Sequence, residues 1–147
     1  MIGNVLGNAG KFSPAGGTIQ LQLRSVAEMP QNVPDTWRKK GLAIGADWYA
    51  VLSVTNAGPR IPDSEKEKIF EKFHQVRTAR GSERSSPITK EAGRGVGLGL
   101  AIARTIIEAH RGAIWVEDNS GGGSVFHILL AAGNAARRGS VPTTLPI

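Results

Sequence analysis

The absences in this sequence already exclude several kinds of protein. Cysteine does not occur among the 147 residues, which excludes a disulfide framework, a thiolate metal site and a cysteine nucleophile. No run of 18 apolar residues occurs, so no segment is typical of a membrane-spanning helix. The opening residues, MIGNVLGNAGKFSP, lack the basic start and apolar core of a secretory signal. We therefore expect a cytoplasmic protein.

Aromatic and acidic residues are also scarce. Aromatic residues make up 5% of the chain, and 12 acidic residues stand against 18 lysines and arginines, giving a net charge of +6. Such an excess is typical of proteins that bind nucleic acid, a membrane surface or a polyphosphate, although a merely basic surface is an equal alternative. The basic residues are scattered and do not alternate with aromatics, as single-strand binding would require. We expect no nucleic-acid partner.

The remaining composition, 40% hydrophobic and 20% charged, is typical of one soluble globular domain. Hydrophobic spacing predicts one helix over 2–12 and another over 98–110. A capping box at Ser64 and Glu67 predicts a third helix between them. β-favouring segments predict strands over 18–26, 48–55, 113–117 and 125–130. Residues 27–47 and 77–92 are predicted loops, and 133–147 a disordered tail after a domain spanning 1–132. This order predicts an α+β two-layer sandwich, a mostly antiparallel sheet with helices on one face.

Two of these elements show a regular apolar spacing. In the first strand, Ile19, Leu21 and Leu23 alternate with polar residues, which predicts a half-buried strand. In the last helix, one apolar face is expected to consist of Leu98, Ile102, Thr105, Ile106 and Ala109.

Three segments carry side chains or backbone suited to a phosphorylated ligand. The run GRGVGLG at 93–99 leads into a helix, so its backbone amides could hold phosphate, but it has neither the GK[ST] of a Walker loop nor a preceding strand. Asn4, Asn8 and Lys11 share a second helix stripe, which offers amide oxygens for Mg²⁺ and an ammonium for phosphate. In NAGPRIP at 56–62, Asn56 could bond a ligand amine. A flexible turn and a solvated helix face are the plainer alternatives.

Together, these segments resemble sensor histidine kinases. NVLGNAGKFSP is similar to their N box, and NAGPRIPDSEKEKIFEKF to their G1 box followed by the F box. GRGVGLGLAIARTIIEAHRGAIWVEDNSGGGSVFHILL is similar to their G2 box, the following helix and the closing strand pair. The resemblance covers roughly residues 2–131. It implies the Bergerat ATP-binding fold, shared with Hsp90, type II topoisomerases and mismatch-repair ATPases, and ATP with Mg²⁺ as ligands.

The resemblance also implies a role for each matching residue. Asn8 falls at the asparagine that ligates Mg²⁺, Asn4 at a supporting asparagine, and Lys11 at a lysine that contacts phosphate. Asn56 falls where the family has an aspartate that receives a hydrogen bond from the adenine amino group. The implied ATP site consists of Asn4, Asn8, Lys11, Phe12, Asn56, Gly58, Ile61, Arg94, Gly95, Val96, Gly97, Leu98, Gly99 and Leu100.

An ATP lid is implied at 77–95. Phe70 and Phe73 match the F-box aromatics and, with Arg77, are expected to support this lid. Its basic side chains, which are expected to help neutralise the triphosphate, are Arg77, Arg80, Arg84, Lys90 and Arg94.

The sequence departs from the family in three ways. Asn56 replaces the aspartate and Arg60 a frequent glycine, so we expect weakened adenine binding. The family normally has a strand and more helix before the N box, so we expect an N-terminally truncated domain. No phosphoacceptor segment is present, and His74, His110 and His127 lie in structural or surface contexts.

The resemblance implies a catalytic ATP-binding domain that donates the γ-phosphoryl group to a histidine on a separate dimerisation domain, in a two-component phosphorelay with a response regulator. It would lie in the cytoplasm or form the cytosolic part of a membrane-bound sensor. With acceptor and general base elsewhere, no catalytic residue is expected within this chain, and the isolated chain should not autophosphorylate. The alternative is a degenerate, non-catalytic module of the same fold that acts in protein–protein contact.

Overall fold

The computed structural model describes residues 1–40, 46–76 and 97–132. Its helices are α1 (Ile2–Phe12), α2 (Asp35–Lys39) and α3 (Gly99–Ala109), and its strands are β1 (Ile19–Val26), β2 (Trp48–Asn56), β3 (Ala113–Asp118) and β4 (Ser124–Ala132). Two short 3₁₀ turns span Asp63–Glu65 and Lys68–Phe70. The predicted lid at 77–95 and the predicted tail at 133–147 lie outside the described residues.

The four described strands form one antiparallel sheet in the order β1-β2-β4-β3. Val51 and Val54 of β2, like Ile128 and Leu129 of β4, are at most 1% exposed. Since these positions point to opposite faces of the sheet, both faces of the central strands are covered. Helix α1 packs against α3 and β2, and α3 packs against β3. The predicted α+β fold with a largely antiparallel sheet is confirmed.

Helix α3 buries residues outside its predicted apolar stripe. Its buried residues are Leu100, Ala101, Ala103 and Ile107, whereas Ile102 is 48% exposed. Leu98, Ile102, Thr105, Ile106 and Ala109 share one face, as their spacing predicts, but none of them is buried. Apolar residues occur on both sides of this helix, and small alanines fit the packed side, so spacing alone could not identify the covered face.

Strand β1 is not half-buried as predicted. Leu21 is 39% exposed and Leu23 is 59% exposed. The strand lies at the edge of the sheet, and α1 packs on its neighbour β2. Alternation indicates the strand correctly but does not show that a second layer covers it.

Residues 27–47 are not a plain loop. They include α2, whose Trp37 is 5% exposed, and a buried Val33. Lys40 and Arg104 place their cationic groups 5.0 and 5.2 Å from the Trp37 ring centre, and Glu108 pairs with both cations. A helix of five residues is too short to give a detectable period, so only tertiary contacts reveal it.

The predicted helix after Ser64 is also wrong, because the chain forms the two 3₁₀ turns instead. No side chain caps the first turn, which Pro62 precedes. Lys66 is held by Asp63 and by Asp118 of β3, at 2.5 and 3.1 Å, and the Glu65 carboxylate contacts His74 at 2.6 Å. The pair with Asp118 joins this segment to β3, and no side chain caps either turn, so the predicted capping box does not form. Among the described helices, none is long and apolar enough to cross a membrane.

Candidate nucleotide site

The asparagine helix and the glycine-rich turn meet through a direct hydrogen bond. The Asn4 side-chain nitrogen donates to the Gly99 carbonyl oxygen at 3.0 Å. A Cβ added at Gly99 would lie only 3.7 Å from the Asn4 Cβ, so the side chain and the turn are in contact. This bond joins residues that are 95 positions apart, and it brings two of the segments singled out in the sequence to one place.

Further along α1, two polar side chains have no competing partner within the described residues. The Asn8 amide forms no hydrogen bond there, and the Lys11 ammonium pairs with no carboxylate. Lys11 lies 5.2 Å over the ring of its neighbour Phe12, which is 48% exposed. The helix therefore offers an amide oxygen, a ligand type suited to Mg²⁺, and an uncompensated positive charge.

The turn after β2 packs against the end of α1. A Cβ at Gly58 would collide with the Phe12 carbonyl oxygen and approach the Asn56 amide to 2.7 Å. Only glycine therefore allows this approach.

Asn56 is itself 3% exposed. Its amide satisfies both ends when the nitrogen donates to the Ser124 carbonyl oxygen at 3.1 Å and the oxygen accepts from the Gly58 N–H at 3.2 Å. The strand end, the turn and β4 are held together by this side chain.

The glycine turn also contacts the aromatic segment after Lys68–Phe70. Gly97 has a φ of 71°, and the Phe73 N–H donates to its carbonyl oxygen at 3.0 Å. A Cβ at Gly97 would lie 3.0 Å from the His74 carbonyl oxygen, so this position also requires glycine. Phe70 is buried and meets Phe126 edge-on at 6.4 Å, whereas Phe73 is 68% exposed.

Comparison with known proteins agrees with this geometry. Residues 1–134 match the family described as "Histidine kinase-, DNA gyrase B-, and HSP90-like ATPase". The chain belongs to this ATPase family. The resemblance inferred from the N, G1, F and G2 boxes is thereby confirmed.

The relatives of this ATPase-family domain are sensor kinases. Sensor histidine kinase TmoS of Ectopseudomonas mendocina is 31% identical over 97% of this chain, which spans 13% of TmoS. Adaptive-response sensory kinase SasA of Nostoc is 36% identical over 86% of the chain, which spans 24% of that protein. The chain thus covers less than a third of these relatives.

Solved structures give the same result. The mycobacterial sensor histidine kinase MprB superposes with a TM-score of 0.54 and 31% identity, over 86% of this chain and 64% of that one. The catalytic domain of histidine kinase ThkA gives a TM-score of 0.54 and 28% identity, over 87% of this chain and 61% of that one. The domain is of the histidine kinase catalytic type.

The structure describes most but not all of the residues expected at the ATP site of this domain. Asn4, Gly97 and Gly99 lie together, and Asn56 and Gly58 lie at the other end of α1, beside Phe12. Ile61 and Leu98 are half-buried, and Leu100 is buried in the core, which leaves it little surface for a ligand. The predicted site and lid residues outside the described part are Arg77, Arg80, Arg84, Lys90, Arg94, Gly95 and Val96.

Sequence reasoning missed the support that β4 gives to Asn56. Ser124 pairs with Asn56 across the sheet and accepts its amide hydrogen bond. Gly123 has a φ of 90°, and a Cβ there would collide with the Asn56 carbonyl oxygen. The triple glycine before the last strand was the available signal.

An apolar surface lies on the same helix as the glycine turn. This patch, which we call the α3 patch, is a groove of about 260 Å³ lined by Lys72, Leu98, Ala101, Ile102, Thr105 and Ile106. Another cavity, of about 220 Å³, lies beside Trp37 and β3, away from the asparagine helix.

Each histidine has a partner in the structure. His74 contacts Glu65, and the His110 ring bonds the Ile106 carbonyl oxygen. His127 is buried, bonds Ser53 at 2.9 Å and Glu117 at 3.0 Å, and stacks on Trp115. Burial lowers the pKa of His127 below its usual value, against the opposing effect of the Glu117 carboxylate. The neutral imidazole is therefore favoured in the fold.

Proposed function

We propose that this domain binds Mg·ATP between α1, the G1 turn and the start of α3, and supplies the γ-phosphoryl group to a histidine on a separate dimerisation domain. The observation that carries the proposal is the Asn4–Gly99 hydrogen bond at 3.0 Å, which joins the N box to the G2 box. A structure complexed with AMPPNP exists for the relative ShkA, which is 25% identical, and this supports a nucleotide as the ligand.

The length of α1 and the positions of its residues fit an extended ligand with a base at one end and charged phosphates at the other. Asn4 to Phe12 spans about 12 Å of helix at the usual rise of about 1.5 Å per residue, with the glycine turn at one end and Gly58 at the other. We assign the base to the Gly58 end and the phosphates to the Gly99 end. Asn8, midway between these ends, would then hold Mg²⁺, and the long side chain of Lys11, which starts nearer the base end, would reach towards the phosphates and offset their charge.

Phosphoryl transfer needs positioning and charge neutralisation more than covalent help from the protein. In the proposed step, the bond between the γ-phosphorus and the bridging oxygen breaks and a bond to an imidazole nitrogen of the acceptor forms. ADP leaves, and the imidazole proton passes to a base on the acceptor's domain. Bound Mg²⁺ would supply neutralisation of the phosphate oxygens. None of the three histidines here is assigned as the acceptor, because each has a structural partner.

The α3 patch is the proposed contact for the dimerisation domain. It includes Ile102, which is 48% exposed, and begins next to the glycine turn. An acceptor docked there would lie close to the phosphate end of the site. A response regulator as the next acceptor, and a cytoplasmic location, follow from the same proposal.

Nucleotide titration tests the proposal. Mg·ATP at about a hundred times its Kd should stabilise the domain by about 2.7 kcal/mol, or roughly 5–10 °C in melting temperature. Asn8→Ala should remove the Mg²⁺ dependence of binding, whereas Gln22→Ala, which changes an exposed amide on β1, should not.

The negative outcome identifies the alternative. If millimolar Mg·ATP does not shift the melting temperature, the domain is a non-catalytic module and the proposal is wrong. Histidine labelling of the isolated chain by ATP would contradict the assignment of the acceptor to another domain.

A further inference from the structure

We infer that Asn56 relaxes the choice of purine base, so that the site accepts a 6-oxopurine triphosphate such as ITP or GTP as well as ATP. This inference rests on the proposed function and concerns the base end of the same site. It starts from the chemistry of the side chain at the end of β2, which is an amide instead of a carboxylate.

The amide has one donor and one acceptor left over. A side-chain amide offers two N–H donors and an oxygen with two lone pairs. At Asn56, the Ser124 carbonyl oxygen takes one donor and the Gly58 N–H takes one lone pair, at 3.1 and 3.2 Å. One N–H and one lone pair therefore have no partner among the residues that the structure describes, and we assign both to the ligand.

These two groups match opposite substituents at position 6 of a purine. The 6-amino group of adenine is a donor and would use the free lone pair of Asn56. The 6-oxo group of hypoxanthine or guanine is an acceptor and would use the free N–H. An ionised carboxylate has acceptors only, so an aspartate here would accept the amino group and repel the oxo group.

The surroundings of Asn56 keep this amide in place. Asn56 is 3% exposed. Gly58 lies close to its side-chain amide, and Gly123 lies close to its backbone carbonyl oxygen. Fixed, buried hydrogen-bonding groups discriminate strongly between ligands, because a mismatch leaves a buried polar group unpaired. At this position the fixed group serves both kinds of base, so discrimination is lost.

The experiment compares three triphosphates that differ at position 6. Dissociation constants are measured calorimetrically for the magnesium complexes of ATP, ITP and purine riboside triphosphate, which lacks a 6-substituent. We expect the ATP and ITP constants to agree within about tenfold, with both ligands binding more tightly than the unsubstituted analogue. ITP that binds no more tightly than this analogue would overturn the inference, even with ATP binding intact.

Asn56→Asp provides the matched variant, measured near pH 8 so that the carboxyl is ionised. The ratio of the ITP to the ATP constant should rise to at least about a hundredfold, whatever the change in absolute affinity. An unchanged ratio in the variant would refute the role of Asn56. If neither nucleotide binds the native domain, the proposed function fails together with the inference, which distinguishes that result from failure of the inference alone.

Discussion

The turn between β3 and β4 contains three consecutive glycines, and substitutions at these positions serve as controls for one another. Gly121, Gly122 and Gly123 follow one another, yet an added Cβ would meet three different situations. At Gly121 the φ is ordinary and the nearest atom, in the Asn119 amide, lies 3.7 Å away. At Gly122 the φ is 92° with open space around it, and at Gly123 the φ is 90° and the Asn56 backbone lies in the way.

The three alanine substitutions should therefore separate strain from collision. Gly121→Ala should leave stability unchanged or raise it by up to about 1 kcal/mol, because the unfolded chain loses freedom. Gly122→Ala should cost about 1–2 kcal/mol for the left-handed backbone alone. Gly123→Ala adds displacement of Asn56 and loss of its two hydrogen bonds, each about 0.5–1.5 kcal/mol, for a total of about 2–5 kcal/mol.

Urea unfolding of the three variants measures these changes in the free energy of unfolding. In thermal unfolding, the melting temperature should fall by about 2–4 °C for each kcal/mol of stability lost. Because Asn56 moves only in Gly123→Ala, that variant alone should also lose affinity for Mg·ATP. Equal destabilisation by Gly122→Ala and Gly123→Ala would show that the collision with Asn56 does not matter, and the packing described around Asn56 would be refuted.

Three further predictions concern other parts of the domain. Trp37→Ala should cost about 3–5 kcal/mol in urea unfolding, as for other buried large aromatics, and a change below about 1 kcal/mol would mean that α2 does not anchor the fold. Burial lowers the pKa of His127, so on acidification the unfolded state binds a proton at this residue before the folded state does. The free energy of unfolding should therefore fall as pH drops below about 6.5 towards the folded pKa. His127→Gln should flatten this pH dependence between about pH 7.5 and 5, and an unchanged slope would exclude His127 as its cause. Ile102→Ser should slow phosphoryl transfer to an added histidine-bearing dimerisation domain about tenfold without changing ATP affinity. Leu23→Ser, at an exposed leucine of β1, should change neither the transfer rate nor the ATP affinity. An equal effect of both substitutions on the transfer rate would rule out the α3 patch as the contact.

The three boxes were readable from the sequence because each is a local pattern. Asn4, Asn8 and Lys11 share a helix face by their spacing, and the glycines at 93–99 lead directly into a helix start. The order of strands and helices gave the α+β class for the same reason, since period 2 and period 3.6 are properties of neighbouring residues.

Burial could not be read in the same way. Leu23 was expected on the buried side of β1 because it alternates with polar residues, yet it is exposed, and Ile102 in the apolar stripe of α3 is exposed too. Which of two apolar faces is covered depends on what packs against it, and that information lies in distant parts of the chain. The short helix around Trp37 and the 3₁₀ turns after Pro62 likewise contact distant parts of the chain, through ion pairs to α3 and β3.

By itself, the sequence determined the class of fold, the family and the chemical types gathered for a nucleotide, because these follow from local spacing and residue identity. Only the tertiary structure decided that Asn4 bonds the Gly99 carbonyl oxygen and that Asn56 is fixed between Gly58 and Ser124. Those contacts join residues far apart in the chain, and their geometry is set when the sheet and helices pack together.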